Sequence, residues 1–315
     1  MGREVRMQIS LKRALIVGGV AVVVLTGGYV LWGRADSMPQ AIAAHAPHTP
    51  HTQGRTDVAP VPSKQHRAAA RTGPQPPNPQ VFRRVGPKAY EIAGNRERRP
   101  PGDALEYMRV MKRRSDAGDA DASYLMELTV RECRNLIKHD PVASFDFLRN
   151  AGMTPDPASL VNDERRLGEC ASLVAAPAFY HGAWLARAAS QGSIEAKLLY
   201  AADPETVIGP PSEWLANPES LVRWRESAMR HLHDAAATGS LDAVSHLSSA
   251  YDKGRITAYD GVNAYAYALA AAKANPAHMP ARSLQELQAK LSPAQREAAR
   301  ERATQVYADC CIADQ

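Results

Sequence analysis

One five-residue pattern is written three times in this chain, as Gly118-Asp119-Ala120-Asp121-Ala122, Gly192-Ser193-Ile194-Glu195-Ala196 and Gly239-Ser240-Leu241-Asp242-Ala243. It leaves few folds open, because each position has a physical task. The glycine follows a helical stretch and ends it in the left-handed conformation. The next residue, Asp119, Ser193 or Ser240, caps a new helix. The acid two further on, Asp121, Glu195 or Asp242, lies in the first turn, where the helix dipole favours negative charge. The closing alanine lets two helices approach closely. The expected product is a tight αα-hairpin, repeated, in an all-α domain.

The glycines are 74 and 47 residues apart, whereas repeats of this size run to about 35 to 45 residues. The first interval therefore has room for a degenerate further hairpin. Asp140-Pro141 and Asp156-Pro157 each place proline at the first helical position behind a cap, and Asn150, Ala151 and Gly152 supply a stop between them. Helices are expected from about 104, 141, 157, 181 and 194 onward, and from Asn217-Pro218 into Ala237. A last helix, opened by a capping box at Ser292 and Gln295, is expected to reach about Asp309. With Arg296, Glu297, Arg300, Glu301 and Arg302 on its outer side, it should end the stack as a polar cap.

Two copies of the motif share a lead-in, Trp184-Leu185 then Ala188-Ala189, and His231-Leu232 then Ala235-Ala236. Behind the third come Tyr251, Gly254, Asp260, Ala264 and Tyr267. In this combination the chain resembles the Sel1-like repeat family, a relative of the tetratricopeptide repeat, over 181–272 and in part over 107–128. The resemblance implies an α-solenoid of Sel1-like helical hairpins over 102–315 and a scaffold for protein complexes, tied in envelope members to cell-wall or signalling assemblies. Stacked hairpins present a concave surface. Trp184, Tyr200, Trp224, Tyr251, Tyr265 and Tyr267 are the candidate contacts there, since aromatics dominate binding hot spots; the competing reading places them in the core.

Residues 14–32 form an uncharged apolar run of membrane-span length. Arg3, Arg6, Lys12 and Arg13 precede it against Glu4 alone, which holds the N-terminus in the cytoplasm. The expected order is a cytoplasmic N-terminus over 1–13, a transmembrane anchor over 14–32 and everything after it outside. In a Gram-negative bacterium this is a single-pass inner-membrane protein with a periplasmic C-terminal domain. A cleaved signal peptide is the rival, with Ala41, Ala43 and Ala44 as acceptable small residues. The apolar run is longer than a signal core and those alanines lie well beyond Trp32, so the uncleaved anchor is preferred.

Residues 33–101 hold twelve of the 23 prolines and few large aliphatics, which predicts a disordered Pro/Arg/His-rich linker. Such a tether spans on the order of 50 Å. Residues 102–315 carry 23 basic against 28 acidic side chains. The basic excess thus flanks the anchor rather than covering a folded face, and nucleic acid is not an expected partner. His45, His48 and His51 are read as polar spacer, because no cysteine or carboxylate joins them to make a metal site. No cofactor is implied.

Four cysteines in an oxidising compartment should pair. Cys133 and Cys170 both lie in the interrupted stretch, and a bridge between them is expected. Cys310 and Cys311 can bridge each other, pair with the first two, or stay free. No nucleophile elbow, phosphate-binding glycine loop or zinc-protease helix is present, and no catalytic residue is assigned. The expectation is a non-enzymatic, membrane-tethered scaffold for protein–protein interaction in the cell envelope. Direct binding of peptidoglycan or another envelope polysaccharide is the alternative, suggested by the linker's reach and charge.

Overall fold

In the computed structural model, which describes residues 78–94, 96 and 99–312, each glycine motif closes a helical hairpin. The first pairs α1 (Ala104–Asp116) with α2 (Ala120–Lys138). An insert follows, made of α3 (Pro141–Asn150), α4 (Pro157–Glu169) and the single turns α5 (Ala171–Val174) and α6 (Pro177–Tyr180). The second hairpin is α7 (Trp184–Gln191) with α8 (Ile194–Ala202), followed by the short α9 (Pro204–Ile208) and α10 (Pro211–Trp214). The third is α11 (Pro218–Ala237) with α12 (Leu241–Lys253), and α13 (Gly261–Ala274), α14 (Ala281–Ala289) and α15 (Pro293–Cys311) complete the series. Packing runs α1 on α2, α2 on α7, then α8, α11, α12, α13 and α15 in turn. That neighbour order is the order of a solenoid.

The local chemistry follows from the motif. Gly118, Gly192 and Gly239 have φ of 95°, 110° and 106°, a region that side-chain-bearing residues rarely enter. Asp119, Ser193 and Ser240 accept from the backbone N–H of Ala122, Ala196 and Ala243. Those alanines are fully buried, so a larger side chain there would push the hairpins apart. The capping box at Ser292 and Gln295 is formed, and α15 turns Ala299, Ala303, Val306 and Cys310 inward while Arg300, Glu301 and Arg302 face out. One boundary differs. The helix expected from 181 starts at Trp184, because the indole ring folds over Gly182, where a Cβ would lie 2.3 Å from it, and donates Nε1–H to Phe179 O at 2.7 Å.

The core is built in separate clusters along the stack. Leu185, Leu232, Leu241 and Leu247 are fully covered among alanines of α7, α8, α11 and α12, and each is worth about 1.5 to 3 kcal/mol. Met108, Met126, Val130 and Leu173 form the core of the first hairpin. Cys133 and Cys170 are bridged there as expected, and Cys310 bridges its neighbour Cys311, also buried.

A linker reaching to residue 101 is not what the structure shows. Residues Phe82–Arg84 (β1) pair antiparallel with Tyr90–Ile92 (β2), so a small β-hairpin joins the otherwise helical fold, and residues 78–94 with Arg96 and Arg99 lie on the repeats. Two forces order it. Val81, Phe82 and Tyr90 bury themselves together against Ile92 and Ile194, and its arginines meet carboxylates of the solenoid. The anchor expected at 14–32, the histidines at 45–51 and the expected linker as far as residue 77 lie outside the described residues. Among the described residues no helix is long and apolar enough to cross a membrane.

Candidate functional site: a cleft walled by a strap

The insert stands away from the stack and leaves a cleft of about 1040 Å³ between itself, α2 and α8. On α2 the residues Leu125, Leu128, Glu132, Asn135 and Leu136 share one helical face and form the floor. Phe145 and Leu148 of α3 with Leu160 of α4 form the outer wall, and Leu198 and Leu199 of α8 the inner one. The insert is thinly packed: α4 buries no residue and α3 only Pro141. Phe147 is 70% exposed, and Val161 and Met153 also face solvent. What holds it in place is the Cys133–Cys170 bridge and the Arg166 guanidinium, which donates to Glu132 at 3.0 Å and to Asp163 at 3.1 Å.

The remaining wall is the strap formed by the N-terminal segment, through Ile92, Gly94, Arg96 and Arg99. It crosses the repeats in reverse order. Tyr90 N–H donates to Gly239 O at 3.0 Å, and Ile92 N–H to the Asp242 carboxylate at 2.8 Å. The Arg96 guanidinium grips Glu195 at 2.6 and 3.0 Å and Asp121 at 2.7 Å, and lies 5.7 Å from the Tyr124 ring centre. Arg99 then reaches Glu169 at 2.9 Å and Glu132 at 3.5 Å. The three motif acids, expected to serve the helix dipole, therefore also hold one continuous segment of chain. Behind the strap, buried Glu91 accepts from Asn275 at 2.7 Å, pairs with His278 at 2.6 Å and is bound by Arg83, which pins the β-hairpin to the loop before α14.

The strap escaped the sequence reading although a signal was present. Val81 and Phe82, then Tyr90 and Ile92, flank Gly86-Pro87-Lys88, the pattern of a β-hairpin around a turn. Its arginines carried no such signal, because the carboxylates they meet lie between 25 and 99 residues away.

Burial and pairing set the charges here. Burial pulls the Arg96 guanidinium down, but the bonds to Glu195 and Asp121 outweigh it and hold it above its ordinary value. Burial first, then the Glu195 carboxylate, pushes the Tyr124 hydroxyl up to about 12. For Glu91 burial pushes upward, and the bonds from Arg83, His278 and Asn275 more than reverse it. Glu127 goes the other way: only 2% of its side chain is exposed, and burial raises its pKa against the pull of Arg131. A carboxyl raised in the folded state favours folding below its unfolded value, roughly 4.3, and loses that contribution as pH rises through the folded value. Glu127→Gln is therefore expected to raise the unfolding midpoint at pH 7 and to leave it nearly unchanged at pH 4. Parallel melting curves at the two pH values check it, and destabilisation at pH 7 would show that Arg131 needs this carboxylate.

None of the six aromatics expected on the concave face lines the cleft. Trp184, Tyr200, Trp224, Tyr265 and Tyr267 are buried between hairpins, and Tyr251 is half-buried and stacked on Tyr267 at 5.7 Å. Trp224 donates Nε1–H to Tyr200 O at 3.0 Å. These rings belong to the packed core, and the side chains that line the cleft are leucines and Phe145 instead. Among the described residues no group of three or more His, Cys, Asp or Glu side chains is placed to hold a metal ion.

No protein-family model and no curated protein matches the chain. Among solved structures, it is similar to a protective antigen present in uropathogenic Escherichia coli strains that displays an SLR fold, at 14% identity and a TM-score of 0.26. The match covers 67% of this chain and 57% of that one. The repeat architecture described above rests on the hairpins, caps and packing order of this chain alone.

Proposed function

We propose that this protein is a non-enzymatic interaction scaffold, tethered to a membrane by residues 14–32 in the cell envelope, and that a protein partner seats in the cleft between α2, the α3–α4 insert and α8. The observation that carries this reading is the apolar lining of the cleft: Leu125 and Leu128 of α2 face Phe145, Leu148 and Leu160 of an insert that buries almost nothing of its own. Contiguous apolar surface of this kind, rimmed by Glu132, Asp163 and Arg166, marks an interaction site more often than a resting surface. The apolar run and its basic N-terminal flank support the tether.

Affinity capture of the full chain from its native membranes tests the reading. Leu128→Asp and Phe145→Asp, each placing a charge in the cleft, are expected to weaken a captured envelope protein by about thirtyfold or more, the effect of losing a hot-spot contact. Circular dichroism should stay unchanged. Undiminished capture with both variants would remove the cleft as the site, and co-sedimentation with purified cell wall surviving both would favour the polysaccharide alternative.

A further inference from the structure

We infer that the equivalent carboxylates Asp121, Glu195 and Asp242 form a recognition track for an extended, arginine-bearing protein segment, and that the strap, through Ile92 and Arg96, is its resident occupant, a ligand held in cis. The three acids stand at the same position of three successive hairpins, and all engage one stretch of chain. What that stretch offers them is general: a main-chain N–H at Ile92 and a guanidinium at Arg96. The Arg96 side chain bridges two successive hairpins by holding Glu195 and Asp121 together. The track thus reads a main-chain N–H followed four positions later by arginine, running against the repeat order. Extended segments laid along a folded surface commonly take affinity from main-chain bonds and selectivity from a few side chains.

Two further observations mark the strap as an occupant that can be exchanged. Arg99 is 2% exposed, yet its Nε has no hydrogen-bond partner. An unmet buried donor is a cost that a competing segment need not carry. The strap also joins the solenoid through Pro100-Pro101-Gly102, all exposed, with Gly102 at φ 127° and nothing within 4 Å of where its Cβ would be. The connection lies in solvent, and the bonds that hold it run from Arg99 to the carbonyls of Pro100 and Gly102. Since Ile92, Gly94, Arg96 and Arg99 also wall the cleft, a segment that displaces the strap opens the floor formed by α2 at the same time. The inference rests on the scaffold reading and adds to it the chemistry of the partner segment.

The test keeps the whole chain. A specific protease site is inserted between Pro101 and Gly102, the folded protein is cut, and a fluorescent peptide with the sequence of residues 78–101 is added. The peptide is expected to exchange into the cut protein with the helical signal retained. Its affinity should fall about a hundredfold or more when the peptide carries Arg96→Ala or the solenoid carries Glu195→Gln, as for a buried charge pair losing one partner. The uncut chain should bind it far more weakly, because the resident strap competes at the millimolar effective concentration of a short connection. Absence of exchange into a protein that stays helical would overturn the inference, as would binding indifferent to Arg96→Ala. Loss of the helical signal once the strap leaves would also overturn it, by making the strap part of the core. Partner capture by the full chain and exchange of the peptide into the cut protein are separate readouts, so the scaffold reading and the track fail separately.

Discussion

Replacing Cys133 and Cys170 together by alanine should lower the free energy of unfolding by about 3 to 4 kcal/mol, the chain-entropy cost of opening a loop of this length. The bridge joins residues 37 apart, from the last third of α2 to the end of α4. The insert has little else to hold it, since its own helices bury almost nothing. Hydrogen exchange is therefore expected to rise over residues 141–169 before it rises over 218–253, and the outer wall of the cleft should be lost with it. Substituting Cys310 and Cys311 is the internal control: they are adjacent and close no loop, so this entropic contribution vanishes. Urea titrations of both variants check the pair of expectations, and an unchanged midpoint in the first would mean that Arg166 and its carboxylates suffice to hold the insert.

Arg96→Ala is expected to cost about 3 kcal/mol or more, the range for removing one partner from a buried ion pair. The loss falls on Glu195, whose side chain is only 8% exposed and is left with its charge unmatched. Asp121 is 46% exposed and regains water, so Asp121→Asn alone should cost under about 1 kcal/mol. Combining Arg96→Ala with Glu195→Gln should be milder than the sum of the two, because the second change removes the charge that the first strands. Strict additivity in denaturant titrations would show that the pair does not hold the strap. A strap that behaves as a cis ligand should also lose protection from exchange over residues 80–94 in the single variant while α11 and α12 keep theirs.

Much of the helical scaffold was legible in the residues because its signals are local. A glycine at positive φ, a cap that accepts an N–H three residues on and a proline at the first helical position all act within one turn. The starts at 104, 141, 157, 194, 218 and 293 accordingly fall where they were expected. The Cys133–Cys170 bridge was legible for a related reason, since both cysteines sit in the one stretch that interrupts the repeat.

The functional surface was not legible in the same way. Trp184, Tyr200, Trp224, Tyr265 and Tyr267 have the spacing of a binding face and the burial of a core, and helical periodicity is identical for both. Which side of a helix is covered depends on the next hairpin. The strap is the clearer case: Arg96 and Arg99 lie in a proline-rich segment that by composition cannot bury enough surface to order itself.

By itself, then, the sequence determined the hairpins, their caps and their order along the stack, because those depend on contacts between near neighbours in the chain. Only the tertiary structure decided that Asp121, Glu195 and Asp242 meet Ile92 and Arg96 of one segment, and that leucines and Phe145 rather than the aromatics line the cleft. Each of those depends on groups brought together across tens to more than a hundred residues, where burial and charge pairing act in space and leave no periodic trace in the chain.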